Sequence, residues 1–171
     1  MVTDTQEVVT TGGSVCQTFL DAEDVLSTKY GTTVEVDRLL TKAAENHVIQ
    51  ASVLVLPSAG KALAVISDLT AGLKGCKTLT VTQPEGQATR SPSAIPQLMR
   101  DGQVGYIEYM TVGGKTVLTA VEMVHVGAAV SVVALAGPVT NDTTTLERMG
   151  ATLVHLSDIQ VERLKAAQSL G

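Results

Sequence analysis

The chain has 171 residues, 44% of them hydrophobic, which suffices for one buried core in a single domain. Just 2% are aromatic, so that core is aliphatic. A net charge of −5 without a Lys/Arg cluster argues against a nucleic-acid footprint, and no apolar run reaches the roughly 18 residues of a membrane span.

In chain order, residues 2–20 are Thr-rich with an apolar thread (Val8, Val9, Val15, Phe19, Leu20), read as irregular strands around a Gly12-Gly13 turn. Residues 1–7 carry neither the basic nor the apolar part of a secretory signal. The expectation is therefore a cytoplasmic protein, or an organellar one if a presequence has been removed. Residues 21–27 start acidic and fit a helical turn that Tyr30-Gly31 ends. The spacing of Val36, Leu39, Leu40 and Ala43 predicts an amphipathic helix over 36–46. Residues 48–56 (VIQASVLVL) read as a buried strand, and 57–60 as its turn. A helix over 61–73 follows, closed by glycines.

Residues 77–82 alternate as a second strand. Residues 83–93, with Pro84, Gly86 and Pro92, predict a polar loop or flap. A short helix over 95–99 leads to a third strand over 104–110. Gly113-Gly114 then opens a helix over 116–126. A fourth strand over 129–136, a helix over 143–149, a fifth strand over 152–156 and a helix over 158–169 complete the chain. Strands alternating with helices predict right-handed βαβ units and a mostly parallel sheet.

Strand, small-residue turn and helix over 106–122 form the arrangement in which backbone N–H groups and the helix dipole hold phosphate. Cys16 and Cys76 lack metal-ligand spacing and read as two reduced, buried thiols rather than a disulfide or a catalytic thiol. His47, His125 and His155 are scattered, which suits structural or surface roles.

With these elements in place, the chain resembles the type I phosphoribosyltransferases, most closely the orotate phosphoribosyltransferases. The residues that carry the likeness are Thr11-Gly12-Gly13-Ser14, Val53-Leu54-Val55-Leu56-Pro57-Ser58-Ala59-Gly60, the stretch from Ile107-Glu108 to Val117-Leu118, and Val132-Val133-Ala134-Leu135. The resemblance implies a single α/β, Rossmann-like domain over 1–171. A hood-like segment would span 1–30, and a mostly parallel sheet flanked by helices 31–171. It also implies a ribose-phosphate site at Glu108, Tyr109, Gly113, Gly114, Lys115 and Thr116, and a pyrophosphate site at Ser58, Ala59, Gly60 and Lys61.

Departures from that family weigh on activity. Tyr109 replaces the second ribose-binding acid, Val112 and Gly113 replace hydroxyl residues, and the flap has Arg90 as its first cation. Several charge-assisted contacts to phosphoribosyl diphosphate would be lost, each worth about 1.5–3 kcal/mol. The leading expectation is a catalytically weak or inactive subunit, or a nucleotide or phosphate sensor. The alternative is an active orotate-type transferase using Mg2+ and phosphoribosyl diphosphate, with Lys61 or Arg90 supplying charge. No catalytic residue and no protein-bound metal site is assigned. The resemblance implies a homodimer or a place in a larger complex.

Overall fold

The computed structural model describes residues 8–24, 26–42, 47–83 and 86–169. Its strands are β1 (Val8–Thr11), β2 (Val34–Lys42), β3 (His47–Val55), β4 (Leu79–Gln83), β5 (Gly86–Ala94), β6 (Gln103–Val112), β7 (Lys115–Val126) and β8 (Ala129–Pro138). Its helices are α1 (Gly13–Asp24), α2 (Leu26–Tyr30), α3 (Ala59–Gly75) and α4 (Thr143–Gln168), with a 3-10 turn at Pro96–Leu98. The strands form one eight-stranded sheet in the order β1-β4-β5-β6-β7-β8-β3-β2. Every ladder in it is antiparallel.

Helices cover both faces. On one face α1 and α3 pack over a core that includes Phe19, Leu69, Val81, Ala88, Tyr106, Val121 and Val130. On the other, Leu153 of α4 packs with Leu98, Ala120, Val133 and Leu135. Alternation along β7 explains the split, because Val121 and Met123 belong to the first core and Ala120 to the second. The α3 helix follows from its sequence. Ser58 caps it by accepting from the Lys61 N–H at 3.2 Å. Its buried Ala62, Val65, Ile66, Leu69 and Leu73 recur at helical spacing.

A disulfide joins Cys16 of α1 to Cys76 just beyond α3, which corrects the expectation of two reduced thiols.

The parallel, Rossmann-like sheet expected from the sequence is overturned, and the physical reasons lie in three segments. Residues 115–126 form strand β7 rather than a helix. Gly113 and Gly114 make a tight hairpin turn, with φ of +56° and +77°, that returns β6 into β7. Residues 34–42 form the edge strand β2, where apolar side chains meet solvent on either face and mimic helical spacing. Of the flap expected over 83–93, residues 86–93 belong to strand β5, which pairs with β4 and β6, and residues 84–85 lie outside the described residues. In the other direction, the short helix, strand and helix expected after residue 143 are one continuous α4. Gly150, read as its stop, is tolerated within it at about 1 kcal/mol. The Gly12-Gly13 turn leads into α1 and not into a further strand. Of the helix expected over 36–46, residues 43–46 lie outside the described residues.

Candidate functional site

The central element of the site is Arg90, on a strand that delivers it to the α1 face of the sheet. Register sets its partners. Leu79 and Met110 stand opposite Arg90, and Glu108 stands opposite Pro92, two residues along β5 on the same face. The Arg90 side chain is 9% exposed. Its Nε donates to Glu108 Oε1 at 2.8 Å and its Nη2 to Glu108 Oε2 at 2.9 Å. This two-point geometry is the strong form of an ion pair. Nη2 also donates to Glu23 Oε2 at the end of α1, and Nη1 lies 3.8 Å from Asp24 Oδ2. The Tyr106 hydroxyl donates to Glu23 Oε1. Phe19 closes the base, edge-on to Tyr106 with ring centroids 5.5 Å apart and with Arg90 Cζ 5.7 Å from its centroid.

Electrostatics follow from this packing. Burial would lower the Arg90 guanidinium, but the charges of Glu23 and Glu108 outweigh it, so the group is raised and stays charged. Burial, then the same two carboxylates, raise the Tyr106 phenol far above its ordinary value, so it remains a donor.

The cluster forms one wall of a cleft of about 310 Å3 between the α1–α2 arm and the sheet. Leu54, Val121, Met123, Val132 and Ala134 line its floor, and Glu35, Gln50, Ser52 and Thr119 add polar groups. Asp37, directly opposite Ser52 on the edge strand, accepts from the Ser52 hydroxyl and from Gln50 Nε2. Glu35 is raised, by burial first and then by Asp37. Among the described residues, four carboxylates (Glu23, Asp24, Glu35, Glu108) thus face the cleft beside a single guanidinium. Among the described residues no group of three or more His, Cys, Asp and Glu side chains is arranged to hold a metal ion.

The residues expected to bind phosphate are dispersed. Glu108 is buried and engaged by Arg90. Tyr109, the next residue on β6, alternates to the opposite face of the sheet. Gly113, Gly114, Lys115 and Thr116 are exposed at the β6–β7 hairpin. Ser58, Ala59, Gly60 and Lys61 are exposed at the start of α3. These two turns lie at opposite ends of the sheet. Val55 pairs with Ala129 at the end where β7 finishes, whereas Lys115 begins β7. They cannot share one sugar diphosphate. Sequence reasoning also missed Glu23 and Tyr106. The available signal was a charge inside an apolar strand, Glu108 between Ile107 and Met110, which demands a buried counter-charge.

No protein-family model matches the chain, and no curated protein matches it. Among solved structures, the chain is similar to the crystal structure of the extracellular domain of PknH from Mycobacterium tuberculosis, with a TM-score of 0.62 and 17% identity. The match covers 92% of this chain and 80% of that one. At such identity the likeness speaks for fold alone. It and the antiparallel sheet together overturn the phosphoribosyltransferase resemblance, its fold, and the transferase or pseudo-transferase function drawn from it.

Proposed function

We propose that the chain is a non-catalytic ligand-recognition domain whose cleft takes a small organic cation with an apolar body. The observation that carries this reading is the composition of the cleft. Among the described residues its lining has no histidine, cysteine or lysine to act as base or nucleophile, and its Ser52 hydroxyl is engaged by Asp37. Its guanidinium is already engaged by Glu108 and Glu23, so the remaining field is negative. An ammonium or guanidinium group would be drawn toward the carboxylates, and its hydrocarbon part would lie on the Val121–Ala134 floor.

The Cys16–Cys76 bridge supports work in an oxidising compartment rather than the cytoplasm. The likeness to an extracellular domain agrees with that placement. Among the described residues no helix is long and apolar enough to cross a membrane.

Calorimetry with alkyl diamines, alkylguanidines and quaternary ammonium salts, compared with carboxylates and sugar phosphates of similar size, tests the reading. Amine binding that weakens in Glu35→Gln supports it. Binding of the anionic set alone, or no amine binding at millimolar concentration, overturns it.

A second reading concerns partners. The edge strand β2 exposes Val34, Val36, Leu39 and Leu40 at 45, 56, 63 and 65%. A nine-residue edge with an unbroken ladder on its inner side is a template for an added strand, which supports a homodimer through β2.

A further inference from the structure

On the face opposite the cleft, α4 rests on a buried acid. Glu122 of β7 is 2% exposed beneath it. Its Oε1 accepts from Gln103 Nε2 at 2.6 Å. Its Oε2 is buried without a hydrogen bond of normal geometry. Ser157 of α4, 1% exposed, stands close enough to act on the carboxyl. Ser131 lies on the same face of β8, two residues from Val133, the cross-strand partner of Glu122, and its buried hydroxyl also lacks a partner. The charged groups acting on Glu122 are Asp158 of α4, which is like-charged, and Arg100 before β6. Among the described residues no cation is bonded to it in the way Arg90 is bonded to Glu108.

The helix above is thinly held. Leu153 and Ser157 are its buried residues over a length of 26. Met149 and Leu156 pack partly buried against the same core, and polar ties from Gln160 to the Ser52 carbonyl and from Gln168 to the Val126 carbonyl add to the attachment.

We propose that α4 is a latch whose grip on the sheet depends on the protonation of Glu122. A neutral carboxyl can donate to a neighbouring hydroxyl and is cheap to bury, whereas an ionised one facing Asp158 pulls toward water. Burial, more than any neighbour, raises the Glu122 carboxyl above its ordinary value. The stabilisation is therefore complete below the ordinary carboxylate range and is lost as pH climbs through the raised folded value. Val121 and Met123, on either side of Glu122, line the cleft, so the latch sits directly behind the cleft floor.

Hydrogen exchange on the whole chain at pH 5 and pH 8, corrected for intrinsic rates, tests this. Protection in residues 150–160 falls at the higher pH while that of α3 holds. The drop is on the order of tenfold for each unit by which burial raises the group. In Glu122→Gln the drop disappears. In Asp158→Asn, an exposed change that leaves the core intact, it shrinks. A wild-type α4 equally protected at both pH values overturns the proposal. So does an undiminished drop in Glu122→Gln or, should that variant not fold, in Asp158→Asn. Loss of protection in α3 together with α4 also overturns it.

Discussion

Arg90 shows how one side chain joins three parts of the chain. It ties β5 to β6 through Glu108 and both to α1 through Glu23 and Asp24. Removing the guanidinium leaves buried carboxylates facing one another with no counter-charge, a class of change that costs about 3–5 kcal/mol. We expect Arg90→Leu to melt roughly 10 °C below the parent at pH 7. The gap should narrow as pH falls, because the orphaned carboxylates are then protonated and no longer repel. Thermal melts from pH 4 to 8 check this, and equal stability of the two proteins at pH 7 would contradict it. Glu108 was visible in the sequence as a charge inside an apolar strand, and Arg90 as the first cation of an expected polar flap. Their partnership was not. It depends on the β5–β6 register, which places residues 18 positions apart on one face, and on α1 returning a carboxylate from 67 positions away. Neither separation leaves a periodic trace.

At the scale of elements, the contact between α1 and α3 is set by a glycine. A methyl at Gly72 would stand 2.6 Å from Phe19 Cβ and 2.7 Å from Phe19 Cα, so the helices touch nearly backbone to backbone. Gly72→Ala must push α1 away from α3 and with it the base of the Arg90 cluster, at a cost of about 1–3 kcal/mol. A melting temperature unchanged by that substitution would show the helices can separate freely. The same pair carries the disulfide. On the chain-entropy view, a bridge spanning 60 positions contributes about 4 kcal/mol by restricting the unfolded chain. Reduction should therefore lower the melting temperature by roughly 8–16 °C, measured with and without a thiol reductant. Elements whose propensity and burial agree could be read in advance: β3, β8 and α3 lie within a few residues of the sequence expectation. Those whose local pattern was ambiguous could not. β7 has Leu118, Ala120, Val121, Glu122 and Met123 all buried, because α3 packs on one of its faces and α4 on the other. Burial on both faces erases the period-two alternation that marks a strand.

For the whole molecule, the decisive feature is the order in which strands are laid side by side. Short apolar runs separated by helix-like stretches are compatible with parallel and antiparallel sheets alike. Here a hairpin sequence from β4 to β8 builds the middle, and β3 and β2 are added at its far side. That arrangement leaves two unequal edges. β1 is four residues long and its pairing with β4 shifts register, the kind of edge that discourages further strands. β2 pairs with β3 without a shift over nine residues and presents apolar side chains to solvent. The proposed homodimer would pair along that edge in one sense in particular. The strand runs from acidic (Glu35, Asp37) to basic (Arg38, Lys42), so antiparallel self-pairing sets the acidic half of one strand beside the basic half of the other. Parallel pairing would set like beside like. Light scattering over a range of concentrations should therefore show reversible dimerisation of the parent chain, and Val36→Lys with Leu40→Lys should abolish it. Both side chains are exposed, so the double variant should keep its stability to within about 0.5 kcal/mol per site. A parent chain that stays monomeric throughout, or a double variant that still dimerises, would mean that the open edge is not the contact.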